Sequence, residues 1–204
     1  MRGAGGEQAG DEGVVAGGGE VKRRLAEALG TKRWQENAKK AKETADQLFP
    51  GEKWINKEAG IYLSPNRPIG KKSNFLDEFR DAQILRDLGS TVYLVQESSR
   101  QSGRKYDAIV NGLKMEFKNM HKEGISTLQE HFFESRSQAP NVFINLEKSN
   151  LTKQQIISAL YGARNNTVRY SRKNKFSGGW IILKIKGYKN LIYLDVDSLK
   201  VKTK

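Results

Sequence analysis

Tyr106-Asp107-Ala108-Ile109-Val110-Asn111-Gly112-Leu113-Lys114-Met115-Glu116-Phe117-Lys118 is the stretch that decides how this chain folds. It reads as two short strands joined by Asn111-Gly112, a dipeptide suited to a two-residue type I′ turn because both residues tolerate positive φ. Counting outward sets the register: Val110 opposite Leu113, Ile109 opposite Lys114, Ala108 opposite Met115, and Asp107 opposite Glu116. Side chains alternate across a strand, so Ala108, Val110, Leu113, Met115 and Phe117 share an apolar face. Asp107, Glu116 and Lys118 share the other, with Ile109 and Lys114 nearer the turn. Two directly opposed carboxylates repel, and a sheet ordinarily avoids that pairing. A divalent cation between them would remove the conflict. A solvated face, with water screening the charges and Lys118 relieving them, accounts for the charge pattern equally well.

On the N-terminal side, Ser73 or Asn74 can cap a helix running to Leu88, and Gly89 can end it at the left-handed position after the last turn. Phe75, Phe79, Ala82, Leu85 and Leu88 form its buried stripe. Glu78 borders that stripe, while Asp77 and Asp81 are expected farther round. A carboxylate aimed toward a core is costly unless compensated, either by a cation or by a salt bridge to a nearby lysine. Residues 91–96 are β-rich, and 97–105 form a polar loop. Beyond the hairpin, residues 125–137 read as a helix with Ile125, Leu128 and Phe132 inward. Ala139-Pro140-Asn141 breaks it, and 142–146 form a short apolar strand. The order helix, three strands, helix, strand predicts an α/β fold, a mixed sheet flanked by helices.

The remaining chain frames that core. Residues 1–22 are Gly-rich and acidic, a flexible tail. Residues 23–70 form a helical and loop extension, with Leu25, Leu29, Trp34, Ala38, Ala41 and Ala45 at helical spacing and one extended piece at Ile61–Leu63. Residues 71–204 are read as one domain, with a core over 71–146 and a basic part over 147–204. That basic part carries a helix over 152–164, capped by Thr152 or Asn150, and a C-terminal β-hairpin.

Composition limits the chemistry. The 204 residues carry a net charge of +13 and no cysteine, so disulfides and thiolate metal sites are excluded. No window holds the roughly 18 apolar residues that span a bilayer. His121 and His131 are the only imidazoles, so a metal must be held mainly by oxygen, which suits Mg²⁺ or Mn²⁺. From residue 151 onward, twelve Lys or Arg stand against Asp195 and Asp197, a balance that suits a polyanionic partner such as nucleic acid, or simply reflects a soluble protein with a surplus of surface lysines. Arg164, Arg169, Arg172, Lys173 and Lys175 cluster there and would contact nucleic-acid phosphates. Tyr170 and Phe176 among them can stack on an unpaired base or simply pack the loop down.

Asp107, followed nine positions later by Glu116-x-Lys118 on the next strand, resembles the signature of the PD-(D/E)xK nuclease superfamily. Tyr106-Asp107 stands where that signature has Pro-Asp. The αβββαβ order resembles the superfamily's minimal core over residues 71–146. The wording around the motif, Gly-Arg-Lys-Tyr-Asp-Ala-Ile-Val-Asn-Gly and then Glu-Phe-Lys, is similar to C-terminal nuclease toxin domains of contact-dependent growth inhibition and related polymorphic toxins. The resemblance implies a divalent-metal-dependent endonuclease acting on tRNA or DNA. Asp107 and Glu116 would ligate Mg²⁺ or Mn²⁺ together with the Phe117 carbonyl, and Lys118 would stabilise the attacked phosphate or position water. Glu78 matches the helix-borne acid that completes such sites, as catalytic group and metal ligand. Gln138 matches a glutamine placed beside the metal, or is an ordinary polar residue at a helix end. His121 could reach phosphate or be a surface histidine. An acidic immunity protein would be the partner, and the cytoplasm of a target cell the place of action, after delivery as part of a larger protein. Two other readings remain: a non-catalytic nucleic-acid-binding module, which would bind without cutting, and a mobile-element DNA endonuclease.

Overall fold

The computed structural model describes residues 34–67, 69, 74–96, 106–121, 124–170, 178–197 and 199, with only the backbone described at 34–35 and 165–170. The elements run α1 (Trp34–Leu48), β1 (Ile55–Glu58), β2 (Ile61–Leu63), α2 (Phe75–Asp87), β3 (Val92–Leu94) and β4 (Ala108–Val110). They continue with β5 (Leu113–Asn119), α3 (Ile125–Gln138), β6 (Asn141–Leu146), α4 (Lys153–Tyr170), β7 (Trp180–Ile185) and β8 (Ile192–Asp195). All eight strands form one mixed sheet in the order β1 to β8. Neighbours β2–β3, β5–β6 and β6–β7 run parallel, and the other pairs run antiparallel. The α/β fold with a mixed sheet between helices is thus as expected.

The hairpin has the register counted from its turn, with Val110 opposite Leu113, Ile109 opposite Lys114 and Ala108 opposite Met115. Asn111 and Gly112 both take positive φ, 48° and 83°, which a type I′ turn requires. The period-two alternation sorts each strand between two layers. Ala108, Val110, Met115 and Phe117 join Phe143 and Ile182 in a cluster under Phe75, Ala82 and Leu85 of α2. On the opposite face, Ile109 and Tyr93 pack against Ala41 and Ala45 of α1. Farther along that face, Val142, Ile144 and Leu146 pack against Leu128 and Phe132 of α3 and Ile156 and Leu160 of α4. β6 is buried along its whole length, as a strand with helices on both faces must be.

Several local expectations change. Residues 55–58 are an edge strand and not loop, with an exposed pattern that hides them from a hydrophobicity reading. The stretch expected as an extension therefore supplies β1 and β2 to the common sheet. Helix α4 continues to Tyr170, past the expected end at Arg164. Asp81, expected away from the stripe, is fully buried. Residues 1–33, including the expected tail, lie outside the described residues.

Candidate active site

Asp107 sits one residue before β4, and the ladder changes character there. Its backbone N–H donates to the Met115 carbonyl at 3.1 Å and its carbonyl accepts from Val95 N–H at 3.0 Å. Its side chain turns onto the partner strand: Phe117 N–H donates to Asp107 Oδ2 at 2.7 Å. The two acids meet as expected, the Asp107 carboxyl lying against that of Glu116. Asp107 also uses its carboxylate as a backbone acceptor, which satisfies a β5 amide and gives the acid a fixed orientation.

Glu116 and Lys118 follow on β5. Lys118 Nζ donates to Glu116 Oε1 at 2.8 Å. Glu116 is only 3 % exposed, and its carboxyl also lies within hydrogen-bonding reach of the Asp107 carboxyl. Burial, and after it the charge of Asp107, push the Glu116 carboxyl up to about 8 against the opposing pull of Lys118. For Lys118, burial works against the charge, but the hydrogen bond and charge of Glu116, with that of Asp107, outweigh it and hold the ammonium above its ordinary value. The trio is a pair of buried acids with one base between them, short of positive charge.

These side chains line a cleft of about 400 Å³. The start of α2 contributes Asn74, Asp77 and Glu78, β5 contributes Asn119 with His121 beyond it, and α3 contributes His131 and Gln138. The expected set Glu78, Asp107, Glu116, Phe117, Lys118 and Gln138 is thus brought to one cavity. Within it the partners differ. Glu78 is ion-paired with Arg67, a buried residue of the loop after β2. His121 Nε2 lies 3.7 Å from Asp77 Oδ2, and His131 Nδ1 lies 3.9 Å from Glu134 Oε2. The cleft is acidic within a chain of net charge +13.

Behind the cleft is an acid that the sequence reading passed over. Asp81 Oδ2 accepts from Asn119 Nδ2 at 2.7 Å and Oδ1 accepts from Asn145 Nδ2 at 2.8 Å. Burial pushes its carboxyl up to about 7 although both amides favour the charged form. It lies three residues after Glu78, a helical spacing that could have placed it inward. Arg67, between two prolines, carries no periodic signal at all.

Of the basic residues expected to contact nucleic acid, Arg164 is half-buried on α4 and Arg169 lies on the same helix, its side chain outside the described set. Arg172, Lys173 and Lys175 lie outside the described residues.

The donor set fits a hard divalent cation. Among the described residues no three His, Asp or Glu side chains converge into a ready cage. Two carboxylates nevertheless suffice for Mg²⁺, which keeps several of its waters and takes only one or two acids. The buried meeting point of the Glu116 and Asp107 carboxyls is the position where such an ion would compensate the two acids.

No protein-family model matches this chain, and no curated protein matches it. One solved structure is similar in shape, described as the CdiA-CT/CdiI toxin and immunity complex from Burkholderia pseudomallei. The match has a TM-score of 0.44 and 18 % identity, and covers 65 % of this chain and 98 % of that one.

Proposed function

We propose that this chain is a divalent-metal-dependent nuclease whose reacting groups are Asp107, Glu116 and Lys118. The observation that carries this reading is a pair of buried carboxyls, Asp107 and Glu116, held against each other beside a lysine in an open cleft. A purely structural sheet ordinarily avoids placing two acids together. The acidity of the cleft also demands explanation, since a phosphodiester approaching it would be repelled.

Asp107, Glu116 and the Phe117 carbonyl would hold Mg²⁺ or Mn²⁺. Such an ion, when bound, supplies Lewis acidity toward a phosphoryl oxygen and toward water. The chain's own groups do the rest. Asp107 is fixed by the Phe117 amide, so its second oxygen is already oriented before any ligand arrives. Lys118 is held by Glu116 and kept protonated, ready to neutralise charge that builds on the attacked phosphate. Asn74, Gln138 and the two histidines form a polar rim able to donate to flanking phosphate or sugar oxygens.

The test is incubation of the purified protein with total tRNA and with plasmid DNA, in Mg²⁺ and in EDTA, beside Glu116→Gln and Lys118→Ala. Mg²⁺-dependent cutting of one substrate is expected, reduced at least about 100-fold in both variants. Lys118→Ala should keep the fold and the metal affinity of the parent. Intact substrates with retarded gel mobility would replace this reading with a non-catalytic binding module.

The narrower role we propose is a toxin effector acting on tRNA or DNA in the cytoplasm of a target cell. The motif resemblance supports it, and the net charge of +13 suits an acidic immunity partner. Growth arrest on expression, relieved by a small acidic protein encoded beside it, would support this role. Harmless expression with site-selective DNA cutting would favour a mobile-element endonuclease.

A further inference from the structure

The motif reading makes Glu78 the third acid of the metal site, but its surroundings give it another task. Its carboxylate lies against Arg67 Nη2, with Glu78 5 % and Arg67 7 % exposed. Through Nη1 the same guanidinium donates to the Val95 carbonyl, and the Asp107 carbonyl lies 3.4 Å away. One planar fork therefore ties the first turn of α2 to the chain leaving β3 and to the residue that opens β4. Arginine suits this because its donors diverge in a fixed plane, which a lysine ammonium cannot reproduce.

We infer that Arg67 keeps Glu78 out of the coordination sphere, so that the cleft takes a single divalent cation through Asp107, Glu116 and the Phe117 carbonyl. The inference rests on the metal-dependent reading of this cleft. A carboxylate already neutralised by a buried guanidinium can turn to a cation only by leaving that guanidinium buried and unpaired, which is strongly unfavourable. Arg67 is accordingly a positioning residue. It removes one acid from the metal's reach and, through the backbone carbonyl of Asp107, steadies the acid that remains. The lack of any three convergent acidic or imidazole groups among the described residues is the pattern this division of labour produces.

Mn²⁺ alone is the probe, counted and titrated by electron paramagnetic resonance on the full chain. The proteins are the parent, Arg67→Met/Glu78→Met, and Asp107→Asn. The double variant removes the ion pair as a unit and replaces it with apolar side chains of similar length, a change that buried pairs commonly tolerate. One Mn²⁺ per chain is expected in the parent and in the double variant, with Kd values within about threefold, whereas Asp107→Asn should weaken binding at least about tenfold. Should the double variant misfold by circular dichroism, Glu78→Gln, whose amide oxygen can still accept from Arg67, must retain the one-to-one stoichiometry. Two Mn²⁺ per parent chain, or loss of Mn²⁺ on altering Glu78 in a folded variant, overturns the inference and leaves the nuclease reading standing. A parent that binds no Mn²⁺ overturns both.

Discussion

Asp81 shows how a single buried group can set the pH response of this protein. Its carboxyl titrates at about 7 in the folded chain and at an ordinary value near 3.8 when unfolded. Between those values the folded state holds the extra proton, so stability falls as pH rises and levels off above about 7. Urea unfolding at pH 5 and pH 8 should therefore show the parent losing stability relative to Asp81→Asn, by about 3 kcal/mol over that interval. Asp81→Ala should cost about 1–3 kcal/mol at pH 5, because it leaves the Asn119 and Asn145 amides without their acceptor. At this scale the sequence was legible only in part. Asp107, Glu116 and Lys118 were readable because a two-residue turn converts spacing into position. Arg67 was not, because a loop has no period, and its importance arises only when α2 and the start of β4 meet.

Among the elements, the helices and the hairpin came out as read, but Leu88 and Ile125, expected inward, lie at helix ends and are exposed, and Asn74 makes no side-chain cap on α2. Thr152 and Gln155 cap α4 reciprocally, Gln155 N–H donating to Thr152 Oγ1 at 3.2 Å and Thr152 N–H to Gln155 Oε1 at 2.9 Å. The hairpin register was legible for the same reason, whereas β1 was not: an exposed edge strand has neither apolar alternation nor turn chemistry to reveal it. Backbones come close together where β7 begins. Gly179 takes φ of 88°, and a Cβ there would lie 1.9 Å from the Pro140 carbonyl oxygen. Gly179→Ala cannot be absorbed by a side-chain shift, since the obstacle is backbone at the start of β6. It should destabilise the protein by more than about 3 kcal/mol in urea unfolding. Gly112→Ala meets only the Thr44 hydroxyl at 3.1 Å and the Lys40 carbonyl at 3.4 Å, with φ of 83°. Its cost should be about 1–2 kcal/mol, mainly from the strained turn.

For the whole molecule, charge and topology have separate consequences. With a net charge of +13, approach of the proposed nucleic-acid partner would be governed by salt, whereas the proposed cation would be shielded within the cleft. Raising monovalent salt from about 50 to about 200 mM should weaken nucleic-acid binding at least about tenfold and leave Mn²⁺ affinity nearly unchanged. The α/β architecture was legible from element order, but the width of the sheet was not, since β2 and β7 join it through long-range parallel pairing with β3 and β6. That width puts β4 and β5 fourth and fifth of eight, with three strands beyond them on either side. Backbone amides of these two strands can exchange with deuterated solvent only when the entire sheet comes apart, and theirs should be the slowest in the molecule. Fraying at β1 or β8 can proceed without disturbing the acids. The proposed site is thus coupled to global cooperativity: each molecule in solution is expected either to hold Asp107, Glu116 and Lys118 in place or to have unfolded outright.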